Sequence, residues 1–399
     1  MNSFACRAFQ CCFGAGARLL PWRTPEVYTG DGSLLRVADI LRENGLRRPF
    51  VIASRRQCAD EHFRRLQEVL DMQDILLSIF SAVEPNPSVE TVEKIAEQYR
   101  IDRCDCFLVI GGGSPMDAAK AAAALLVRPN RSLSSLAGLL KVRRRIPPFI
   151  AVPTTAGTGS ETTIAAVITG RDHRKYAVSD LCLIPRYAIL DPTLSAGLPP
   201  HITAETGMDA LTHAVEAYLS RFYNTRKTRE QAERAVVTIF SHLERAYRDG
   251  ASLPDRAAML QASFDAGAAF TRASVGNVHA IAHTLGGLYG TAHGLANAVL
   301  LPIVLEDYGA AAYPRLARLA HLVGIQEASA EASARAFIAE IRAMNARMGI
   351  PDHFDCIRSE DIPLMASWAC REANPVYPVP VIYDQARFAR VIERSRAEP

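Results

Sequence analysis

An α/β domain on a parallel sheet, followed by an all-α domain, is the fold class that this 399-residue sequence predicts. Three observations predict it. From residue 26 to about 195 short apolar runs alternate with helical patterns. From 201 to 395 long Ala-rich stretches such as "DRAAMLQASFDAGAAFTRA" carry almost no β-branched alternation, and Pro192, Pro199 and Pro200 mark the passage between the two regions. A content of 49% hydrophobic and 22% charged residues is enough for two cores. The expected divisions are an N-terminal extension over 1–25, an α/β domain over 26–195 and a helical domain over 196–399.

Taken in order, the opening "MNSFACRAFQCCFGAGARLL" has Arg7 and Arg18 around a short, mildly apolar stretch without a small-residue cleavage site, so it reads as a helix covering a surface or a subunit contact rather than as a signal peptide. "EVYTG" is the first strand. "SLLRVADILRENG" is a helix capped by Ser33 and stopped by Gly45, and "PFVIA" is the next strand. A helix, the strand "DILLSIF", a helix from Ser88, the strand "CFLVIGGG", another helix and "PPFIAVPTT" continue the alternation. Strands that are apolar throughout and separated by helices belong to a parallel sheet covered on both faces.

No run reaches the roughly twenty apolar residues of a membrane span. The charge is balanced, 45 Lys+Arg against 42 Asp+Glu, which argues against nucleic-acid or membrane-surface partners and for a small-molecule one. Nine cysteines include none at CxxC spacing, so neither a disulfide framework nor a thiolate zinc site is expected, and a reducing cytoplasm fits.

Two loops carry the nucleotide reading. "FLVIGGGSPMDAAK" (107–120) runs from a strand through Gly111, Gly112 and Gly113 into a helix start with Ser114 as N-cap, Pro115 at N1 and Asp117 at N3. Glycines let the backbone approach a phosphate, and the free N–H groups of a helix end point at it. The pattern is neither GxGxxG nor a Walker loop. "VPTTAGTGSE" (152–161) follows another strand with Thr154, Thr155, Thr158 and Ser160 beside two glycines. Paired loops at strand ends of one parallel sheet mark a nucleotide crevice.

In the helical half, Asp209 and His213 of "ETGMDALTHAVEAYLS" are four apart and share a helix face, His279 and His283 repeat that spacing, and His293 follows. One carboxylate and three imidazoles suit Fe²⁺ or Zn²⁺ and suit Mg²⁺ or Ca²⁺ poorly. Spacing leaves open which three or four of the five bind.

At these residues the chain resembles the iron-containing (group III) alcohol dehydrogenase family, from about 26 to 395. The carrying motifs are "VIGGGSPMDAAK", "PTTAGTGSE", "ILDPTLSAGLP", "ETGMDALTHAVEAY", "VHAIAHTLGGLYGTAHGLANAVLLP" and "ANPVYPVP". The resemblance implies an N-terminal dinucleotide-binding domain, a C-terminal helical metal-binding domain and an active site in the cleft between them. It implies Asp209, His213, His279 and His293 as metal ligands, with His283 spared to face substrate and nicotinamide as the catalytic proton relay. It places cofactor contacts on Asn86, Gly111 to Asp117, Thr154, Thr155, Thr158 and Lys175, and the expected assembly is a homodimer or larger homo-oligomer.

One departure bears on the cofactor. Where similar NAD-using members often carry an acidic residue after the second strand, "PFVIASRRQ" has Ser54, Arg55 and Arg56. A guanidinium can pair with a 2′-phosphate that a carboxylate would repel, so NADP(H) is expected over NAD, although two arginines equally suit a solvated helix start. The expected reaction is hydride transfer between a primary alcohol or aldehyde and NAD(P)(H), with the ion as Lewis acid. Rivals are a redox-neutral lyase of the dehydroquinate synthase type, a maleylacetate reductase or glycerol dehydrogenase type, and a non-catalytic nucleotide or metal sensor. The intact four-ligand set and the fourteen-residue His279–His293 spacing favour the dehydrogenase.

Overall fold

The structure is a computed structural model that describes residues 3–171 and 175–397. It divides into two compact units, Pro21–Gly197, and Leu198–Pro399 together with the N-terminal segment Met1–Leu20. The N-terminal helix α1 (Ser3–Ala17) therefore belongs with the helical unit, far ahead of it in sequence.

The α/β unit runs β1 (Glu26–Thr29), α2 (Arg36–Glu43), β2 (Pro49–Ile52), α3 (Arg55–Cys58), α4 (Glu61–Asp71), β3 (Ser78–Phe80), α5 (Val89–Ile101), β4 (Cys106–Gly111), α6 (Gly113–Val127), β5 (Gly138–Leu139), β6 (Phe149–Pro153), β7 (Ala165–Thr169), β8 (Lys175–Ser179) and β9 (Tyr187–Leu190). Six strands form a parallel sheet in the order β1-β9-β6-β4-β2-β3. Successive side chains of a strand point to opposite faces, and each face is buried. Phe107 and Val109 of β4 join the core under α5 and α6. Cys106, Leu108 and Ile110 join the other core, with residues of α2 and α4. This explains why the strand is apolar at every position.

The sequence pattern departs from the structure at three places. Ser33 does not cap α2: residues Ser33–Leu35 form a 3₁₀ turn, and the helix proper starts at Arg36. The carboxylate of buried Asp191, at the end of β9, takes the N–H groups of Gly32 and Leu34 on either side of the serine and so holds this turn from a distance in sequence. Ser114 is likewise not the cap of α6, because Gly112 flanks the helix and Gly113 begins it; no side chain caps this end. The third difference is an antiparallel pair, β7 with β8, in register from Ala165↔Ser179 to Thr169↔Lys175, with β5 alongside β8.

The helical unit comprises α7 (Pro200–Leu219), α8 (Arg226–Arg248), α9 (Leu253–Ala273), α10 (Asn277–Tyr289), α11 (His293–Tyr308), α12 (Tyr313–Leu322), α13 (Ala330–Arg347), α14 (Ile362–Ala373) and α15 (Gln385–Arg394). Buried without interruption from Gly207 to Leu219, α7 packs on α8, α9 and α11. Among the described residues no helix is long and apolar enough to cross a membrane.

Candidate functional site

In the α/β unit the two Gly-rich loops leave neighbouring strands, β4 and β6, whose ends pair at Gly111↔Pro153. The loops touch closely. A Cβ on Gly112 would lie 3.1 Å from the Thr155 hydroxyl oxygen, and one on Gly113 would lie 3.1 Å from the Thr158 methyl. Side chains at these two glycines would crowd the neighbouring threonines, and the uncapped start of α6 leaves backbone donors for an anion. Gln57 donates to the Thr154 hydroxyl at 3.1 Å. Lys175 Nζ meets Asn86 Oδ1 at 2.7 Å, and Asn86 N–H donates to the Ser114 hydroxyl at 3.3 Å, so three of the expected cofactor residues are brought together.

Asp117 is turned elsewhere. Its carboxylate accepts from the Ser160 hydroxyl (3.0 Å) and the Val167 N–H (3.1 Å), tethering the second loop to α6. One turn further, fully buried Lys120 donates to Ser160 O at 2.6 Å, Thr163 Oγ1 at 2.7 Å, Thr163 O at 3.0 Å and Ala165 O at 3.2 Å. Burial pulls this ammonium down to about 8 and pushes its neighbour Glu161 up to about 7. Sequence inspection missed Lys120, although Asp117 and Lys120 at i and i+3 mark one helix face. Ser54 caps α3 reciprocally with Gln57, leaving Arg55 and Arg56 exposed in its first turn.

The helical unit holds the second cluster. Asp209 and His213 come from α7, His279 from α10 and His293 from the first position of α11. Gly290, in the left-handed conformation (φ 67°), ends α10 and lets the chain turn so that His293 returns to His279. One donor atom from each of Asp209, His213, His279 and His293 lies within 4.8 Å of the others. Ligands about 2.1 Å from a shared ion are at most about 4.2 Å apart, so a small contraction closes the set on a divalent ion. His283 is not in that set. Its ring stacks on His293 with centroids 5.3 Å apart.

The partners of these residues fit ligation. Burial, then the neighbouring imidazoles, hold His279 well below the ordinary histidine range, so it stays neutral. Its Nδ1 lies 2.6 Å from Glu216 Oε2; donation there leaves Nε2 as the ligating lone pair. Glu216 also accepts from the N–H groups of Gly276 and Val278, while burial pushes it up to about 8. Asn297 Nδ2 reaches Asp209 Oδ1 at 2.7 Å and both His279 and His293 Nε2 at 3.2 Å, marking with one polar group the point on which these donor atoms converge and from which a bound ion would displace it. Phe270 stacks on His213 at 4.1 Å. His283 Nδ1 lies 2.6 Å from Glu372 Oε1, which also accepts from the Tyr377 hydroxyl at 2.7 Å.

Glu216 was readable in principle, seven residues after Asp209 on the same helix face. Glu372 and Tyr377 were not, since they lie about ninety residues from the histidine they serve.

Gly294 explains the His-Gly pair. A Cβ there would sit 2.4 Å from the backbone oxygen of Glu205 on α7, an atom that cannot swing aside. Gly294→Ala should cost about 1–3 kcal/mol through overpacking and should loosen metal binding by displacing His293. Thermal unfolding and metal titration check this, and an unchanged midpoint would mean the two backbones do not touch.

Comparison with known proteins bears on the chemistry. Residues 24–192 match the family "Iron-containing alcohol dehydrogenase", and residues 203–393 match "Fe-containing alcohol dehydrogenase family, C-terminal". A 1,3-propanediol dehydrogenase of Klebsiella pneumoniae is 40% identical over 306 residues, 75% of this chain and 78% of its own. The crystal structure of a 1,3-propanediol oxidoreductase superimposes with a TM-score of 0.89 at 33% identity, covering 95% of this chain and all of the other. The sulfoacetaldehyde reductase of Bifidobacterium kashiwanohense, solved with NAD+, gives a TM-score of 0.84 at 27% identity over 96% of this chain and all of its own. With both family segments matched in order around a carboxylate–imidazole cluster and paired glycine loops, the chain belongs to the iron-containing alcohol dehydrogenase family and is an NAD(P)-dependent alcohol dehydrogenase/aldehyde reductase.

Proposed function

We propose that this enzyme interconverts short primary alcohols and aldehydes using Fe²⁺ held by Asp209, His213, His279 and His293, with NADP(H) preferred over NAD(H). The convergence of four donor atoms from three helices carries the reading. The relatives named for 1,3-propanediol and sulfoacetaldehyde support a small substrate with a second polar group. A bound divalent ion supplies Lewis acidity at the substrate oxygen, and a bound nicotinamide gives or takes the hydride.

The chain's own residues do the rest. Gly111, Gly112, Gly113 and Ser114 hold the pyrophosphate at the start of α6, and Thr154, Thr155, Thr158, Asn86 and Lys175 hold the neighbouring groups. Asp117 acts from behind, by fixing the second loop. Glu372 accepts Nδ1–H of His283 and so fixes the tautomer that leaves Nε2 basic. That nitrogen takes the proton of the alcohol, or returns one to the oxygen when an aldehyde is reduced.

Arg55 and Arg56 are free of helix-capping duty and sit directly after β2. Arg55→Ala/Arg56→Ala should raise KM for NADPH about tenfold or more, the size of a lost charge-assisted contact, and leave KM for NADH unchanged. An equal change for both nucleotides would remove the NADP(H) preference. A cytoplasmic homo-oligomer belongs to the same reading: all nine cysteines are unpaired, as a reducing compartment requires, and the assembly is tested by sizing in solution. The decisive experiment is anaerobic purification with metal analysis, then an alcohol and aldehyde panel with both nucleotides. No turnover with any restored metal would overturn the function.

A further inference from the structure

The segment 375–381, "PVYPVPV", is neither helix nor strand, and its prolines at 375, 378 and 380 lack N–H groups. It cannot order itself by a backbone ladder, yet every carbonyl in it is held by a donor from elsewhere. Val376 O accepts from Tyr223 Oη, Pro378 O from Arg221 N and Val381 O from Asn277 Nδ2. The other four carbonyls are held by α1. Gln10 Nε2 donates to Pro375 O (3.0 Å) and Tyr377 O (2.7 Å), while the Arg7 guanidinium donates to Val379 O (2.7 Å) and Pro380 O (2.8 Å).

Gln10 is completely buried, and its remaining oxygen accepts from Arg7 at 2.9 Å. The helix is seated firmly. A Cβ on Gly14 would lie 2.9 Å from Phe222 O, and the Phe13 ring lies 5.2 Å from that of Tyr223. In the middle of the segment stands Tyr377, whose hydroxyl donates to Glu372, which in turn holds His283. The family match begins only at residue 24, so α1 lies outside it.

We propose that α1 is a positioning element of the proton-transfer chain. Gln10 and Arg7 set the place of the 375–381 backbone and thereby the Tyr377–Glu372–His283 alignment. This rests on the reading that His283 moves the substrate proton. Unlike a simple cover for apolar surface, α1 spends its buried polar groups on the backbone that carries Tyr377, so its loss should be felt in kcat through that tyrosine.

The test is a double-mutant cycle in the full-length, metal-loaded enzyme, with Gln10→Leu, Tyr377→Phe and the two combined. Gln10→Leu keeps the volume and removes both donated bonds. It should lower kcat about tenfold, with KM changed far less, because alignment is lost rather than binding. In the Tyr377→Phe background the same substitution should have little further effect. Hydrogen exchange of the metal-free protein should show the amides of Val376, Tyr377, Val379 and Val381 exchanging faster in Gln10→Leu. Should Gln10→Leu fail to fold, Arg7→Met, at a less buried position, takes its place in the cycle, with Arg7→Lys expected to recover part of kcat. Losses that multiply, or a lower thermal midpoint at unchanged kcat, would reduce α1 to a structural cover and overturn the proposal. His283→Ala separates this from the underlying reading. Full turnover in that variant removes the relay itself, whereas an impaired His283→Ala beside a multiplicative cycle removes only the part assigned to α1.

Discussion

His293→Ala should empty the enzyme of metal and of turnover together. The imidazole supplies one of four donor atoms that lie within 4.8 Å of one another, and it stands at the first residue of α11, where it is partly exposed. Alanine there removes little packing, so folding should survive and the loss should be specific. Removing a residue that only orients a ligand weakens metal binding by roughly 10–100-fold, and removing a ligand should exceed that. Without the ion the substrate oxygen loses several kcal/mol of charge stabilisation, so turnover should fall by about a thousandfold or more. Metal content per chain, measured beside NAD(P)H oxidation, checks both. Full metal occupancy in His293→Ala would exclude it as a ligand.

His283→Ala should separate the two properties. This ring stacks on His293 but stands outside the donor set, and its Nδ1 is engaged by Glu372. Metal content should stay at the wild-type level while kcat falls about 10²–10⁴-fold, the range of a lost general acid–base group. Departure of the metal would show instead that His283 coordinates, and the division of labour among the histidines would be wrong.

What could be read from the sequence divides along the range of the interactions involved. The strands announced themselves because a sheet covered on both faces buries Cys106 through Gly111 without exception, which leaves an apolar run with no alternation. Ser88 behaved as a local cap should, accepting from Thr91 N–H. Ser33 did not, because residues 33–35 tighten into a 3₁₀ turn held by Asp191, which arrives from the end of β9 and accepts from Gly32 and Leu34 N–H, and no local pattern records that. The β7–β8 pair was hidden differently: "AAVIT" does alternate, but its residues are only half-buried on one face and its small side chains make the signal weak. At the site, types and spacing gathered the five candidates but could not rank them. The ranking depends on a turn at Gly290 that swings His293 back towards His279, and on carboxylates that engage Nδ1 of His279 and of His283.

The single ammonium of Lys120 has a bearing on where this chain tolerates changes of length. Three successive anchor points from the end of the second loop to the start of β7, at Ser160, Thr163 and Ala165, are matched to one buried cation. An insertion or deletion between residues 160 and 165 would slide at least one acceptor off and leave the buried ammonium short of a partner. The exposed stretch at residues 129–132, after α6, is held by no such buried charge and is the place for a graft, tag or circular permutation.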